Sequence, residues 1–224
     1  MILVITGTNT DVGKTIATAA LAVVLEAAGW EVLPVKPVQT GEPDGHGDAP
    51  TVTRLTGLTA IDRHRYPEPL APNLSARRAG MAQPVLADVV RWLRGLDAPG
   101  RAVLVEGAGG LLVRIADDWT LADLARELGA PLVLVTSTGL GSLNLAELTV
   151  EAARRRGLDV LGVVGGSLPS EPDLATRLNL AELPDITGVP LWGSLPEGAG
   201  GLAREEFAAM ARGCLSPGIA APPA

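Results

Sequence analysis

The segment Gly7-Thr8-Asn9-Thr10-Asp11-Val12-Gly13-Lys14-Thr15 constrains this chain more than any other. It follows Ile2-Leu3-Val4-Ile5, a continuous apolar run that reads as a strand buried on both faces. It precedes Ala17, Ala20, Leu21, Val24, Leu25 and Ala28, which recur at helical spacing up to a stop at Gly29. A glycine-containing turn between a buried strand and a helix gathers backbone N–H groups and the positive helix end at one point, which makes an anion cradle. The Gly-Lys-Thr ending then sets Lys14 to reach the β- and γ-phosphates of a nucleotide and the Thr15 hydroxyl to coordinate Mg²⁺. The common form of this loop has its first glycine five positions before Gly13; Thr8 stands there, and Gly7 lies one position earlier. An ordinary strand-to-helix turn is the alternative, and Gly-Lys-Thr at the point where the helix begins argues against it.

The rest of the chain alternates in the same way. Strands are expected at Val32 to Val35, Ala102 to Val105, Pro131 to Val135, Val160 to Val164 and Val189 to Trp192. Helical patterns lie near Val85 to Arg94, Thr120 to Leu128, Leu143 to Arg156, Asp173 to Leu183 and Leu202 to Arg212. Such alternation implies right-handed crossovers and a single α/β domain over residues 1–214, a doubly wound parallel sheet flanked by helices and P-loop NTPase-like. Residues 215–224, with Pro217, Pro222 and Pro223, are expected to form a disordered tail. The stretch from Pro37 to Pro50 has no apolar period and reads as a long loop beyond a strand's carboxyl end, where open α/β sheets bind ligands.

Composition narrows the classes. The net charge is −7 with aromatic residues at 3%, and the densest basic run, Arg154-Arg155-Arg156, sits at an expected helix end where it complements the dipole. Neither a basic nucleic-acid surface nor an aromatic base-stacking platform is expected. Cys214 is the only cysteine, so no internal disulfide or thiolate cluster can form. The first residues lack the pattern of a signal peptide, and the longest uncharged apolar stretch, Ile16 to Leu25, is too short to span a bilayer. A soluble, cytoplasmic protein is the expectation. His46 and His64 lie in polar surroundings without a second metal ligand at a suitable spacing, so both read as exposed and non-functional.

Two further segments suggest chemistry. In Lys36-Pro37-Val38-Gln39-Thr40-Gly41 a lysine closes a strand and can point into the phosphate crevice, although taken alone it reads better as an edge lysine reaching for solvent. In Glu106-Gly107-Ala108-Gly109-Gly110 the acid can hold Mg²⁺ and the glycines allow close approach to a ligand; alone this is a glycine turn with a surface carboxylate. Asp48 precedes a helix, where capping is the alternative.

Together, GTNTDVGKT, KPVQTG, Asp48, YPEPLAPNLSARRAG, VEGAGGLLV and LGSLNLAELT resemble the dethiobiotin synthases in order and spacing over almost the whole chain. The resemblance implies an enzyme that joins CO₂ to diaminopelargonate as a carbamate, phosphorylates it with ATP and closes a ureido ring. By that similarity Lys14 and Lys36 neutralise phosphate and carbamate oxygens. Thr15, Asp48 and Glu106 ligate Mg²⁺. The nucleotide lies on Asp11, Val12, Gly13, Lys14, Thr15 and Ile16, with Gly107, Ala108 and Gly109 beside the phosphates. Thr40 contacts the substrate. Gly141, Ser142, Leu143 and Asn144 start a helix that holds the substrate carboxylate of a partner subunit, which implies a homodimer. Many members read adenine with an Asn-Asp pair after the sixth strand; this chain has Gly165-Gly166-Ser167 there, leaving Gly166, Ser167 and the loop Leu195-Pro196-Glu197 to meet the base through their backbones.

Three other readings are weaker. An amidotransferase-like synthase acting on a corrinoid precursor usually has a separate glutaminase domain, for which this chain has neither the length nor a suitable cysteine. A partition or positioning ATPase places a lysine early in the loop, where this chain has Asn9. A nucleotide-binding module without chemistry would not need the segment from Lys36 to Asp48.

Overall fold

The computed structural model describes residues 1–222. In chain order its elements are β1 (Ile2–Gly7), α1 (Lys14–Ala27), β2 (Glu31–Thr40), α2 (Asp48–Thr56), β3 (Ile61–Tyr66), α3 (Pro72–Arg78), α4 (Leu86–Arg94) and β4 (Arg101–Gly110). There follow β5 (Arg114–Ala116), β6 (Trp119–Thr120), α5 (Leu121–Leu128), β7 (Leu132–Thr136), α6 (Ser142–Arg154), β8 (Val160–Leu168), α7 (Leu174–Thr187), β9 (Leu191–Pro196) and α8 (Arg204–Cys214). Seven strands form one sheet in the order β3-β2-β4-β1-β7-β8-β9, and each neighbouring pair is parallel. The short β5 and β6 make a separate antiparallel hairpin.

The strands read from sequence are buried on both faces, as their continuous apolar runs require. Leu3, Ile5, Leu104, Val133 and Val135 pack with Ala17, Leu21, Leu25, Val52 and Phe207 on the side of α1, α2 and α8. Val4, Val103 and Val105 face the other side, against Val89, Leu93, Leu124 and Ala125 of α4 and α5. On that second side Leu134 and Val163 meet Ala146, Val150 and Leu183 of α6 and α7. β1 is the middle strand, so the loop that follows it emerges at the centre of the sheet's carboxyl edge.

Besides the unexpected short helix α3 and the β5–β6 hairpin, several features differ from expectation. β3 was not anticipated: Ile61-Asp62-Arg63-His64-Arg65-Tyr66 is a charged edge strand with one neighbour, so it lacks the apolar run that marks a buried one. His64 therefore lies half-buried on a strand rather than in a loop. The expected loop from Pro37 is shorter, because β2 continues to Thr40 and α2 starts at Asp48. Past Val35, β2 pairs with β3 alone, where a proline such as Pro37 is tolerated.

The segment expected to be a disordered tail is, from Leu215 to Pro222, held at two places: Leu215 and Ser216 meet the outer side of β9, and Ala220 and Pro222 lie at Trp30 and Gly29, between α1 and β2. Ser216 N donates to Trp192 O at 2.8 Å, Trp30 Nε1 donates to Ala220 O at 3.2 Å, and Leu215 is buried. The outer side of β9 offers unpaired backbone groups, and Leu215 and Ile219 offer apolar surface to cover beside them. Pro223 and Ala224 lie outside the described residues. Among the described residues no helix is long and apolar enough to cross a membrane.

Candidate active site

Gly13 is the N-cap of α1 at φ 91°, a left-handed conformation that costs glycine little. It has no side chain to cap the helix, so the first N–H groups of α1 have no side-chain partner, and Gly13, Lys14, Thr15 and Ile16 all line the cleft. Asp11 is the only non-glycine residue with positive φ (58°) among the described residues, a local strain of the kind that clusters at ligand-binding turns. Thr8 N donates to Val135 O at 2.9 Å, which anchors the start of the loop to β7.

Strand alternation brings the charged groups together. Glu106 shares the β4 face of Ala102 and Leu104, and Lys36 shares the β2 face of Val32, so both project towards α1. Val35 pairs with Val105, which sets Lys36 next to Glu106 although 70 residues separate them. Lys36 Nζ donates to Glu106 Oε1 at 2.9 Å and Gly107 O at 2.9 Å, and lies 2.6 Å from Asp48 Oδ2. Three N–H groups thus meet three acceptors. The Thr15 hydroxyl lies 2.7 Å from Asp48 Oδ1 and 2.9 Å from Glu106 Oε1. It has one hydrogen and can donate to only one of them. Lys14 Nζ donates to Asn9 O at 2.9 Å, which holds the amine across the loop.

The electrostatics are uneven. Burial, aided by Lys36, lowers the Lys14 pKa. Burial also disfavours charge on Lys36, but Glu106 and Asp48 outweigh it and raise the pKa, so Lys36 is a cation at neutral pH. Burial opposes ionisation of Asp48 too, and Lys36 overcomes it, holding the carboxyl below its usual range. For Glu106 burial dominates and raises the carboxyl, with Lys36 offsetting part of the effect.

These groups open onto a cleft of about 850 Å³. Of the residues expected at the site, Asp11, Gly13, Lys14, Thr15, Ile16, Lys36, Thr40, Asp48, Glu106, Ala108 and Gly109 line it. Val12 is buried beneath the loop. Gly107 contributes its carbonyl to Lys36, and a β-carbon there would lie 2.2 Å from Leu121 Cδ2. Gly166 and Ser167, Leu195 to Glu197, and Gly141 to Asn144 are not on the wall of this cleft. Glu197 N donates to Leu168 O at 2.8 Å, which joins the loop after β9 to the end of β8. Gly141 to Asn144 begin α6, whose Leu145, Leu148 and Thr149 line a separate groove of about 380 Å³ on the other side of the loop, with Thr8, Thr10 and Leu112.

Gln39 and a wall formed by Pro69, Leu70, Ala71 and Pro72 also line the cleft. All of them lie within KPVQTG and YPEPLAPNLSARRAG, where nothing in the local pattern marks a role for them.

Residues 2–200 match the family model described as an AAA domain. The ATP-dependent dethiobiotin synthetase BioD of Corynebacterium kroppenstedtii is 61% identical over 97% of this chain and 95% of its own. That of Corynebacterium diphtheriae is 62% identical over 92% and 93%, and that of Streptomyces avermitilis 52% over 96% and 92%. Among solved structures, the septum site-determining protein MinD complexed with Mg-ADP from Pyrococcus horikoshii superposes with a TM-score of 0.56 at 21% identity, covering 95% of this chain and 94% of that one. The MinC:MinD cell division complex of Aquifex aeolicus gives 0.54 at 14%, covering 96% and 97%. At such identities these two neighbours share the fold alone.

Proposed function

Since this chain belongs to the ATP-dependent dethiobiotin synthetase family, we propose that the cleft beyond β1, β2 and β4 is where its ATP and its diamine meet. The chain is an ATP-dependent ligase of biotin biosynthesis, which joins CO₂ to 7,8-diaminopelargonate and closes the ring of dethiobiotin with release of ADP and phosphate. In the route we favour, one amine and CO₂ give a carbamate whose oxygen attacks the γ-phosphorus of ATP, and ADP leaves. The second amine then attacks the carbonyl carbon of the carbamic-phosphoric anhydride, phosphate leaves and the amine proton is lost. No protein nucleophile is needed, so the task of the site is to position and to neutralise charge.

The open N–H groups of α1 and the Lys14 amine take the β- and γ-phosphates. Lys36, held cationic by two acids, faces the carbamate and γ-phosphate oxygens. Thr40, at the end of β2, meets the substrate. The observation that carries the reading is the convergence of the Thr15 hydroxyl, Asp48 and Glu106 beside Lys36. Those three oxygens suit Mg²⁺, a hard cation held by one or two carboxylates plus phosphate oxygens. They leave one carboxylate contact of Thr15 without a proton, which a cation would satisfy. When bound, Mg²⁺ would neutralise the charge that develops on the phosphate oxygens.

The exposed Leu112, Leu140, Leu145 and Leu148 beside the second groove support a homodimer. The start of α6, with the buried and unpartnered Ser142 hydroxyl, would then take the carboxylate of a substrate seated in the partner's cleft. The test is phosphate release with and without diaminopelargonate, bicarbonate and Mg²⁺. Release that requires all three supports the reading, and equal hydrolysis without the diamine refutes it.

A further inference from the structure

Helix α2 carries Asp48 into the site, yet it has no cap of its own. Its N-cap is Gly47, at φ 111° and ψ −160°, a region essentially limited to glycine. Asp, Asn or Ser would usually supply the oxygen that accepts a first-turn N–H. Here a β-carbon at residue 47 would stand 2.7 Å from Gln39 Oε1, so the space is already taken. The acceptor is Gln39 itself: Asp48 N donates to its Oε1 at 2.9 Å. Its amide nitrogen donates to Thr40 O at 3.2 Å, which orients the group so that the oxygen faces α2. Gln39 is 6% exposed and stands on β2, three residues beyond Lys36.

We infer that Gln39 is a positioning residue for Asp48, a cap supplied from the sheet that sets how deeply the carboxylate enters the cluster. The segment before α2 has little rigidity of its own, since Gly41, Gly45 and Gly47 all have positive φ. Arg65 of β3 ties it at Pro43 O (3.1 Å) and His46 O (2.9 Å), but these contacts lie at the exposed rim. Gln39 acts at the residue that matters, one bond network away from both Asp48 Oδ1 on Thr15 and Asp48 Oδ2 on Lys36. Mg²⁺ demands near-ideal octahedral geometry, so a shift of Asp48 by a fraction of an ångström weakens it more than it weakens a phosphate held by backbone groups. The inference rests on the reading of Asp48 as a Mg²⁺ ligand.

The experiment is calorimetric titration of Mg²⁺ into the ADP complex of the full chain, with metal-free ADP affinity measured in chelator and folding checked by thermal melting. Gln39→Met keeps the length and removes the acceptor; Gln39→Glu keeps an acceptor. Gln39→Met should weaken Mg²⁺ about five- to tenfold, the scale of one lost hydrogen bond. Gln39→Glu should bind Mg²⁺ at least as tightly as the native chain, and metal-free ADP affinity should not change in either. If Gln39→Met does not fold, Gln39→Asn, which holds the acceptor short of Asp48, should show the same weakening. Native Mg²⁺ affinity in the Met or Asn variant overturns the inference. So does an equal loss of metal-free ADP affinity, or a Glu variant as weak as the Met variant. Asp48→Asn is the control: if it too leaves Mg²⁺ affinity unchanged, the metal-site reading fails, whereas weakening by Asp48→Asn alone discards only the role of Gln39.

Discussion

Gly13 and Gly166 meet backbone to backbone: a β-carbon on Gly13 would lie 2.4 Å from Gly166 O, and one on Gly166 would lie 1.6 Å from Val12 O. The phosphate-binding loop therefore rests directly on the end of β8. Gly165 is equally confined, since a β-carbon there would come within 2.4 Å of Ser194 Oγ. Close packing between loop and sheet, and not a free choice of side chain, accounts for glycine at both positions.

Gly166→Ala should push the loop off β8. Overpacking against a backbone carbonyl costs about 1–3 kcal/mol, and here it would be transmitted to the N–H groups proposed to meet the phosphates. Calorimetry with ADP should show affinity reduced by roughly tenfold. Gly213→Ala, with open space around it, should leave affinity unchanged.

The same confinement bears on the base. No side-chain amide is available at Gly165 or Gly166 to pair with adenine, so few polar groups are left unpaired when another base enters. ATP, CTP and GTP should support turnover with kcat/KM values within about a hundredfold of one another. Direct competition between triphosphates at fixed Mg²⁺ measures it, and a preference of several orders of magnitude for ATP would mean that adenine is read elsewhere.

Lys14→Ala should leave the fold intact, because its amine meets only Asn9 O. On the proposed reading its attraction to the phosphoryl oxygens grows as charge develops there in the transition state, so kcat/KM should fall by about two orders of magnitude or more. Steady-state phosphate release alongside a circular-dichroism melt separates the two effects.

Lys36→Met strips the buried acids of their partner. Breaking a buried pair from one side costs about 3–5 kcal/mol, so denaturant unfolding at neutral pH should show a loss of that order. Glu106→Gln should cost less, because the amide keeps an oxygen that can accept from Lys36 and Thr15, and Asp48 still pairs with the amine. It should instead raise the Mg²⁺ concentration needed for half-maximal activity.

Thr120→Ala tests a structural device with a pH signature. Thr120 and Asp123 form a capping box at the start of α5, with Asp123 Oδ2 accepting from Thr120 N at 2.9 Å and from its hydroxyl at 2.7 Å. Burial opposes ionisation of Asp123, but these bonds outweigh it and lower the carboxyl. A depressed carboxyl stabilises the fold above its unfolded pKa, and that contribution is lost as pH falls through the folded value. The substitution should therefore cost about 1 kcal/mol at pH 7 and less in acid below the ordinary aspartate range, measured by melting at both pH values.

Much of the site was legible because it is local. Gly13-Lys14-Thr15 lies on one turn, and its neighbours β1 and α1 announce themselves by a buried run and a helical period. Lys36, Asp48 and Glu106 could be singled out only through motif order, since nothing local distinguishes an edge lysine or a capping acid from a cluster member. The order of strands decided their meeting. β4 lies between β1 and β2, which puts Glu106 within reach of both Thr15 and Lys36. The charged edge strand β3 and the anchoring of residues 215–222 at β9 and Trp30 carry no period of their own, because each depends on partners supplied elsewhere in the fold. Gln39 stood in plain view within a recognised motif. Only the fold showed that its amide caps a helix from the sheet, for a hydrogen bond to Asp48 N is set by where a strand ends, which no pattern along the chain records. By itself the sequence determined the P-loop, the buried strands and the enzyme family, because each is written in local spacing or in motif order. The tertiary structure alone decided which distant charges share a proton, a lysine or a cap, because that depends on strand order and on the close packing of backbones.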